Sequence, residues 1–170
     1  MRLGRLLSAV CLVILGSVLA PVPGHAEETK AEAERGGYLA RIMDCTGCHT
    51  PGALAGKPDA IRYLGGSDIG FQIPQLGVFY PPNITPDPET GLGEWTKEEI
   101  VAAVRTGVRP DGRELAPIMP WRSYAALSDE DARALATYLK SLSPVRHRAP
   151  GPFGPSETPT SPYLTVVAPK

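Results

Sequence analysis

Two thiols and an imidazole stand together in Asp44-Cys45-Thr46-Gly47-Cys48-His49-Thr50, and a thioether follows far along the chain at Met119. A C-x-x-C-H run has three chemical uses: a redox-active disulfide, part of a zinc site, or covalent attachment of haem. A thioredoxin-like disulfide sits at the end of a strand in a βαβ unit. Here the preceding residues 30–44, KAEAERGGYLARIMD, have helix-forming composition and place Leu39, Ile42 and Met43 as apolar side chains. Zinc needs four ligands in a tetrahedron. Adjacent Cys48 and His49 fit one such metal poorly, and His147 in a proline-rich tail is the remaining imidazole that could complete the set. Haem accounts for the whole run. Two thiols at this spacing add to two vinyl groups on one edge of the ring, and the next residue, His49, is directed beneath it toward the iron.

The start of the chain supports that choice. Arg2 and Arg5 precede an uncharged apolar run of fifteen residues, 6–20, followed by Pro21, Pro23 and the small residues Gly24 and Ala26. This pattern predicts a secretory signal peptide over residues 1–26, cleaved after Ala26, and so an exported, periplasmic protein. An uncleaved membrane anchor would need a longer apolar run. Cys11 lies inside the run with Val10 before it, so it is expected to leave with the signal. The remaining thiols are too few for a disulfide scaffold. Of 17 basic residues, Arg2 and Arg5 are removed, while all 18 acidic residues remain, a net charge of about −3. No basic field exists to attract nucleic acid.

Iron held by His49 has a second face. Met43, Met119 and His147 are its candidate ligands. Met43 is tethered too close to the attachment site to cross the ring. Met119 lies in APIMPW, a segment expected to be non-helical between two helices, with Pro120 stiffening the backbone behind it. Its other reading is a core gap-filler. Met119 is the expected ligand, and His147 is the alternative, which requires the tail to fold back. A thioether opposite an imidazole favours reduced iron and leaves no position for substrate. The rival class is a haem enzyme or sensor with an open sixth position, such as a peroxidase. No distal histidine near Met119 supports it.

The elements that must position these groups are legible to different degrees. Thr96 and Glu99 form a capping box ahead of Ile100, Val101, Val104 and Val108, with Gly107 placed to end that helix. Ser128 and Asp131 open another, whose face carries Leu135, Tyr138, Leu139 and Leu142, with Pro144 past its end. Residues 50–93 read as loop, dense in turn-formers such as YPPN and TPDPETGLG. A loop of that length implies a large prosthetic group to organise it. Residues 146–170 form a proline-rich tail expected to be extended, either wrapping the surface or mobile. The organisation is therefore a signal peptide at 1–26, a haem domain at 27–145 and a tail at 146–170.

The stretches RGGYLARIMDCTGCHT, GFQIPQLGVFYPPNITPDPETGLGEWT, VRTGVRPDGRELAPIMPWRSYAALSDEDARALATYLKSL and PGPFGPSETPTSP cover nearly all of residues 35–160. Through them the chain resembles the class I cytochromes c, in particular bacterial periplasmic cytochromes associated with dehydrogenases and the haem domains of alcohol and gluconate dehydrogenase cytochrome subunits. The resemblance implies an all-α fold, three to five helices packed around one covalently bound haem c with long loops. It implies that Cys45 and Cys48 carry the haem and that His49 and Met119 ligate its iron. It also implies that the first and last helices cross, with Gly36, Gly37 and Tyr38 meeting Tyr138. Relatives of this kind often carry three haem domains, whereas this chain has one CxxCH. Trp95, Arg109, Tyr80 and Asn83 are candidate partners for the haem propionates, since buried carboxylates need donors or cations. Ordinary packing is the alternative for each, and Trp121 and Tyr124 are expected to wall the pocket. The implied role is single-electron transfer, without catalysis, from a dehydrogenase toward a terminal oxidase or another cytochrome.

Overall fold

The computed structural model describes residues 23–169. Most of the expected signal peptide, residues 1–22, therefore lies outside the described residues, and its last four residues open the first helix. That helix, α1, spans Pro23–Ile42, starting ahead of the expected residue 30. Helix α3, Lys97–Thr106, has the reciprocal capping box: Glu99 N–H donates to Thr96 Oγ1 and Thr96 N–H donates to the Glu99 carboxylate. It stops where Gly107 turns left-handed at φ 74°, which glycine adopts without a Cβ penalty. Helix α5, Asp129–Ser141, is capped by Ser128, which accepts from Asp131 N–H.

The core lies where these three helices meet. Ala40 of α1, Ile100 of α3, and Leu135, Ala136 and Leu139 of α5 are buried around Leu64 from the long loop. The contact of α1 with α5 requires the glycine pair. A Cβ on Gly36 would stand 2.0 Å from the Ala134 carbonyl oxygen, and one on Gly37 would stand 3.1 Å from the Tyr138 ring. Tyr38 differs from expectation: it is half exposed and lies under the Arg35 guanidinium, 5.3 Å from ring centre to Cζ. Arg35 in turn forms a bidentate pair with Asp131 at 2.8 and 3.2 Å.

Two further departures concern regions with no periodic pattern. Trp121, the last residue of the APIMPW segment read as non-helical, instead opens a single helical turn, α4, Trp121–Tyr124. Part of the 50–93 loop is sheet, so the fold is not purely α-helical. Strand β1, Gly70–Ile73, pairs antiparallel with β2, Gly77–Phe79. The tail wraps the domain: β3, Tyr163–Leu164, adds to β1 in parallel, and Phe153 bridges Val78 on the other side. These strands of two to four residues are too short to produce an alternation that can be read in sequence.

Candidate functional site

The thiols and imidazole occupy one turn of helix. Helix α2, Cys45–His49, is capped by Asp44, whose carboxylate accepts from Gly47 N–H at 3.1 Å. Gly47 leaves the space for that carboxylate, since a Cβ there would lie 2.4 Å from Asp44 Oδ2. Residues three and four positions apart in a helix share a side. That is how Cys45, Cys48 and His49 converge.

The electrostatics do not suit a redox dithiol. Both cysteines are free. Burial raises the Cys45 thiol to about 11, and burial followed by the nearby Asp44 raises Cys48 as well. Reactive dithiols depend on a stabilised thiolate, and this site opposes one. His49 is buried, and that burial holds its imidazole neutral by lowering its pKa, against a smaller upward pull from its hydrogen bond. Nδ1 donates to the Pro82 carbonyl at 2.7 Å, which fixes the tautomer and leaves the lone pair on Nε2.

Met119 is half-buried in a segment shaped by backbone turns. Arg109 N–H donates to Arg113 O at 3.0 Å, Leu115 N–H to Gly107 O at 2.7 Å, and Met119 N–H to Ala116 O at 2.9 Å. The segment is anchored through α4. Trp121 packs on Gly107, where a Cβ would come 2.5 Å from the indole. Tyr124 Oη donates to Met43 O at 2.8 Å, two residues ahead of Cys45. The Tyr124 phenol is raised to about 12, first by burial and then by the fields of Cys45 and Cys48. Tyr124 thus fastens the methionine segment to the CxxCH turn. Sequence reasoning placed it only as a wall residue, because a tyrosine's partner across the fold leaves no local pattern.

The alternative ligands are engaged elsewhere. Met43 packs against the core. His147 Nδ1 donates to Gly65 O at 2.7 Å, and its Nε2 stands 3.3 Å from Asp68.

The four propionate candidates divide into two pairs. Arg109 and Trp95 come together, with the guanidinium 5.3 Å from the indole centre. Arg109 Nε is buried with no hydrogen-bond partner, and Asp111 Oδ2 stands 3.4 Å away without the geometry of a bond. Tyr80 instead packs edge-on to Phe153 and donates to Ser161 O at 2.6 Å. Asn83 Nδ2 donates to Val145 O at 2.6 Å and Thr90 Oγ1 at 3.0 Å, while its Oδ1 accepts from Thr85 N–H and Oγ1. Tyr80 and Asn83 hold the tail.

This donor set fits a covalently attached haem. Two neutral free thiols flank an imidazole with its Nδ1 already bonded, a thioether segment is tied alongside, and a buried guanidinium N–H awaits an acceptor.

Comparison with known proteins agrees. The cytochrome c family matches residues 33–143. The chain is 43% identical over 130 residues to the cytochrome c subunit of a quinone alcohol dehydrogenase from Gluconobacter oxydans (strain 621H), covering 74% of this chain and 25% of that one. It is 36% identical over 141 residues to the gluconate 2-dehydrogenase cytochrome c subunit of Pantoea cypripedii, covering 82% and 30%. It is 38% identical over 133 residues to the fructose dehydrogenase cytochrome subunit of Gluconobacter japonicus, covering 78% and 25%. The chain thus spans between about a quarter and a third of the length of these relatives. The chain belongs to the cytochrome c family and binds haem c covalently.

Proposed function

We propose that this cytochrome c is a monohaem electron carrier of the periplasm, accepting single electrons from a dehydrogenase and delivering them to a terminal oxidase or another cytochrome. It serves as a soluble carrier or as the cytochrome subunit of its dehydrogenase. The supporting relatives are named as subunits of alcohol, gluconate and fructose dehydrogenases. Among the described residues no helix is long and apolar enough to cross a membrane.

The observation that carries this reading is the Tyr124–Met43 hydrogen bond, which ties the Met119 segment to the turn bearing His49. Cys45 and Cys48 would hold the haem, and His49 Nε2 and Met119 would bind its iron. With both iron-binding positions taken by these side chains, the group would supply a one-electron Fe(III)/Fe(II) couple and no site for substrate. The Pro82 carbonyl accepts from Nδ1–H, which leaves the lone pair on Nε2 and orients the ring, while burial keeps the imidazole neutral. Trp95 and Arg109 offer donors to a propionate, and the orphaned Arg109 Nε is the group that most needs one. Ile42 and Ile118, both exposed, flank the CxxCH turn and Met119 in sequence and provide apolar contact for a small, transient interface.

Carbon monoxide added to the reduced protein and cyanide to the oxidised protein test the assignment. Slow or absent binding at neutral pH is expected. Rapid, tight binding by the folded protein would mean an open sixth position and a peroxidase-like or sensing role. A redox titration should follow a single one-electron curve.

A further inference from the structure

We infer that Asn83 and His147 are positioning residues for the His49 ligand, and that residues 145–147, where the domain runs into the tail, clamp the two loops that hold it. This rests on His49 being an iron ligand.

His49 is gripped at two points. Its ring donates to Pro82 O at 2.7 Å, and its own carbonyl accepts from Gly66 N–H at 2.8 Å. Pro82 and Gly66 lie in loops outside the helices and strands of the fold. The loops meet each other through Ser67 N–H to Pro81 O and Ile84 N–H to Leu64 O. Further ties across them run through the tail and Asn83.

Asn83 follows Pro82 directly and is 2% exposed. Its amide spans from the loop to Val145 O at 2.6 Å, and Val145 N–H returns to Thr85 Oγ1 at 3.0 Å. Two residues on, His147 N–H donates to Thr90 Oγ1 at 3.2 Å, while its imidazole reaches the other loop at Gly65 O. The Val145 side chain closes on Gly65, where a Cβ would come 2.8 Å from Cγ1. The tail thus binds the Pro82 loop by backbone and the Gly65–Gly66 loop by side chains. It sets the distance between the ring's acceptor and the backbone that carries the ring.

A carbonyl acceptor on Nδ1–H raises the donor strength of Nε2 and fixes the ring's orientation, and changes to such outer partners cost about 10–100-fold in metal affinity. Freeing the clamp lets Pro82 O drift from Nδ1. The imidazole then donates less to iron, ferric iron loses more stabilisation than ferrous, and the potential rises.

The test uses the full-length holoprotein with His147→Phe, Asn83→Ser and, as control, Thr165→Val, which removes only the outer tail contact to Gln72. Proton NMR of the reduced protein reads exchange of His49 Nδ1–H, alongside the midpoint potential and thermal melting. His147→Phe and Asn83→Ser should each speed that exchange about tenfold or more and raise the potential, with Thr165→Val leaving both unchanged. If Asn83→Ser does not fold, His147→Phe decides alone. A lowered melting temperature with unchanged exchange and potential would overturn the clamp and leave the tail a purely structural strap. A His49 that shows no paramagnetic shift in the oxidised protein would overturn the ligand assignment itself, a distinguishable failure.

Discussion

The histidine side and the methionine side of this site are built differently. His49 is buried, its ring and carbonyl are both hydrogen-bonded, and the loops around it are knotted through Asn83, Thr85, Asp87 and Thr90. Met119 is half-buried in a segment of tight turns, held mainly where Trp121 lies on Gly107 and Tyr124 reaches Met43. The proposed histidine ligand is fixed by many buried polar contacts, the proposed methionine ligand by two anchor points. An electron carrier needs both faces filled, but local stability differs with the density of buried contacts. Under the proposed ligation, the methionine is therefore expected to yield first.

The largest effects come from breaking each side in turn. His49→Ala should abolish stable haem incorporation, read as loss of the covalent haem band in the purified protein. Met119→Ala should keep covalent haem yet open the iron. Carbon monoxide would then bind, and the potential should fall by more than tenfold in the Fe(II)/Fe(III) equilibrium, about 59 mV for one electron. An unchanged spectrum in Met119→Ala would show that another residue is the ligand. Gly107→Ala attacks the methionine side indirectly. It places a methyl group in the Trp121 ring at a left-handed residue, so a loss of about 2–3 kcal/mol is expected in denaturant unfolding. Methionine ligation should be lost at a lower denaturant concentration than histidine ligation.

The smallest effect lies on the histidine side. Hydrogen bonds, first from the Thr90 side chain, hold Asp87 below its usual value of 3.8. A carboxylate depressed in the folded state contributes its full stability above its unfolded pKa and loses it as pH falls through the folded value. Melting temperature should therefore drop as pH falls below about 4, and Asp87→Asn should flatten part of that limb. An identical acid limb in the variant would place the acid sensitivity elsewhere.

Legibility followed the range of the interactions. The capping box at Thr96 and Glu99, the Ser128 cap and the Gly107 stop are contacts within four residues, and all three appear where the sequence put them. Gly36 and Gly37 signalled a close approach, but only the fold shows that Gly36 meets backbone and Gly37 meets the Tyr138 ring, while Tyr38 lies half exposed under Arg35. Tyr80 and Asn83 were recognisable as polar groups requiring partners. Which partners they took depended on a tail whose course no local pattern encodes.

The sequence by itself determined the attachment chemistry, because Cys45, Cys48 and His49 need only one helical turn to converge. It also determined α3 and α5, whose caps and apolar faces are local. Tertiary structure decided what surrounds the His49 imidazole. Pro82, Gly66 and the tail come from three distant parts of the chain, and hydrogen bonds between such parts exist only after the loops close.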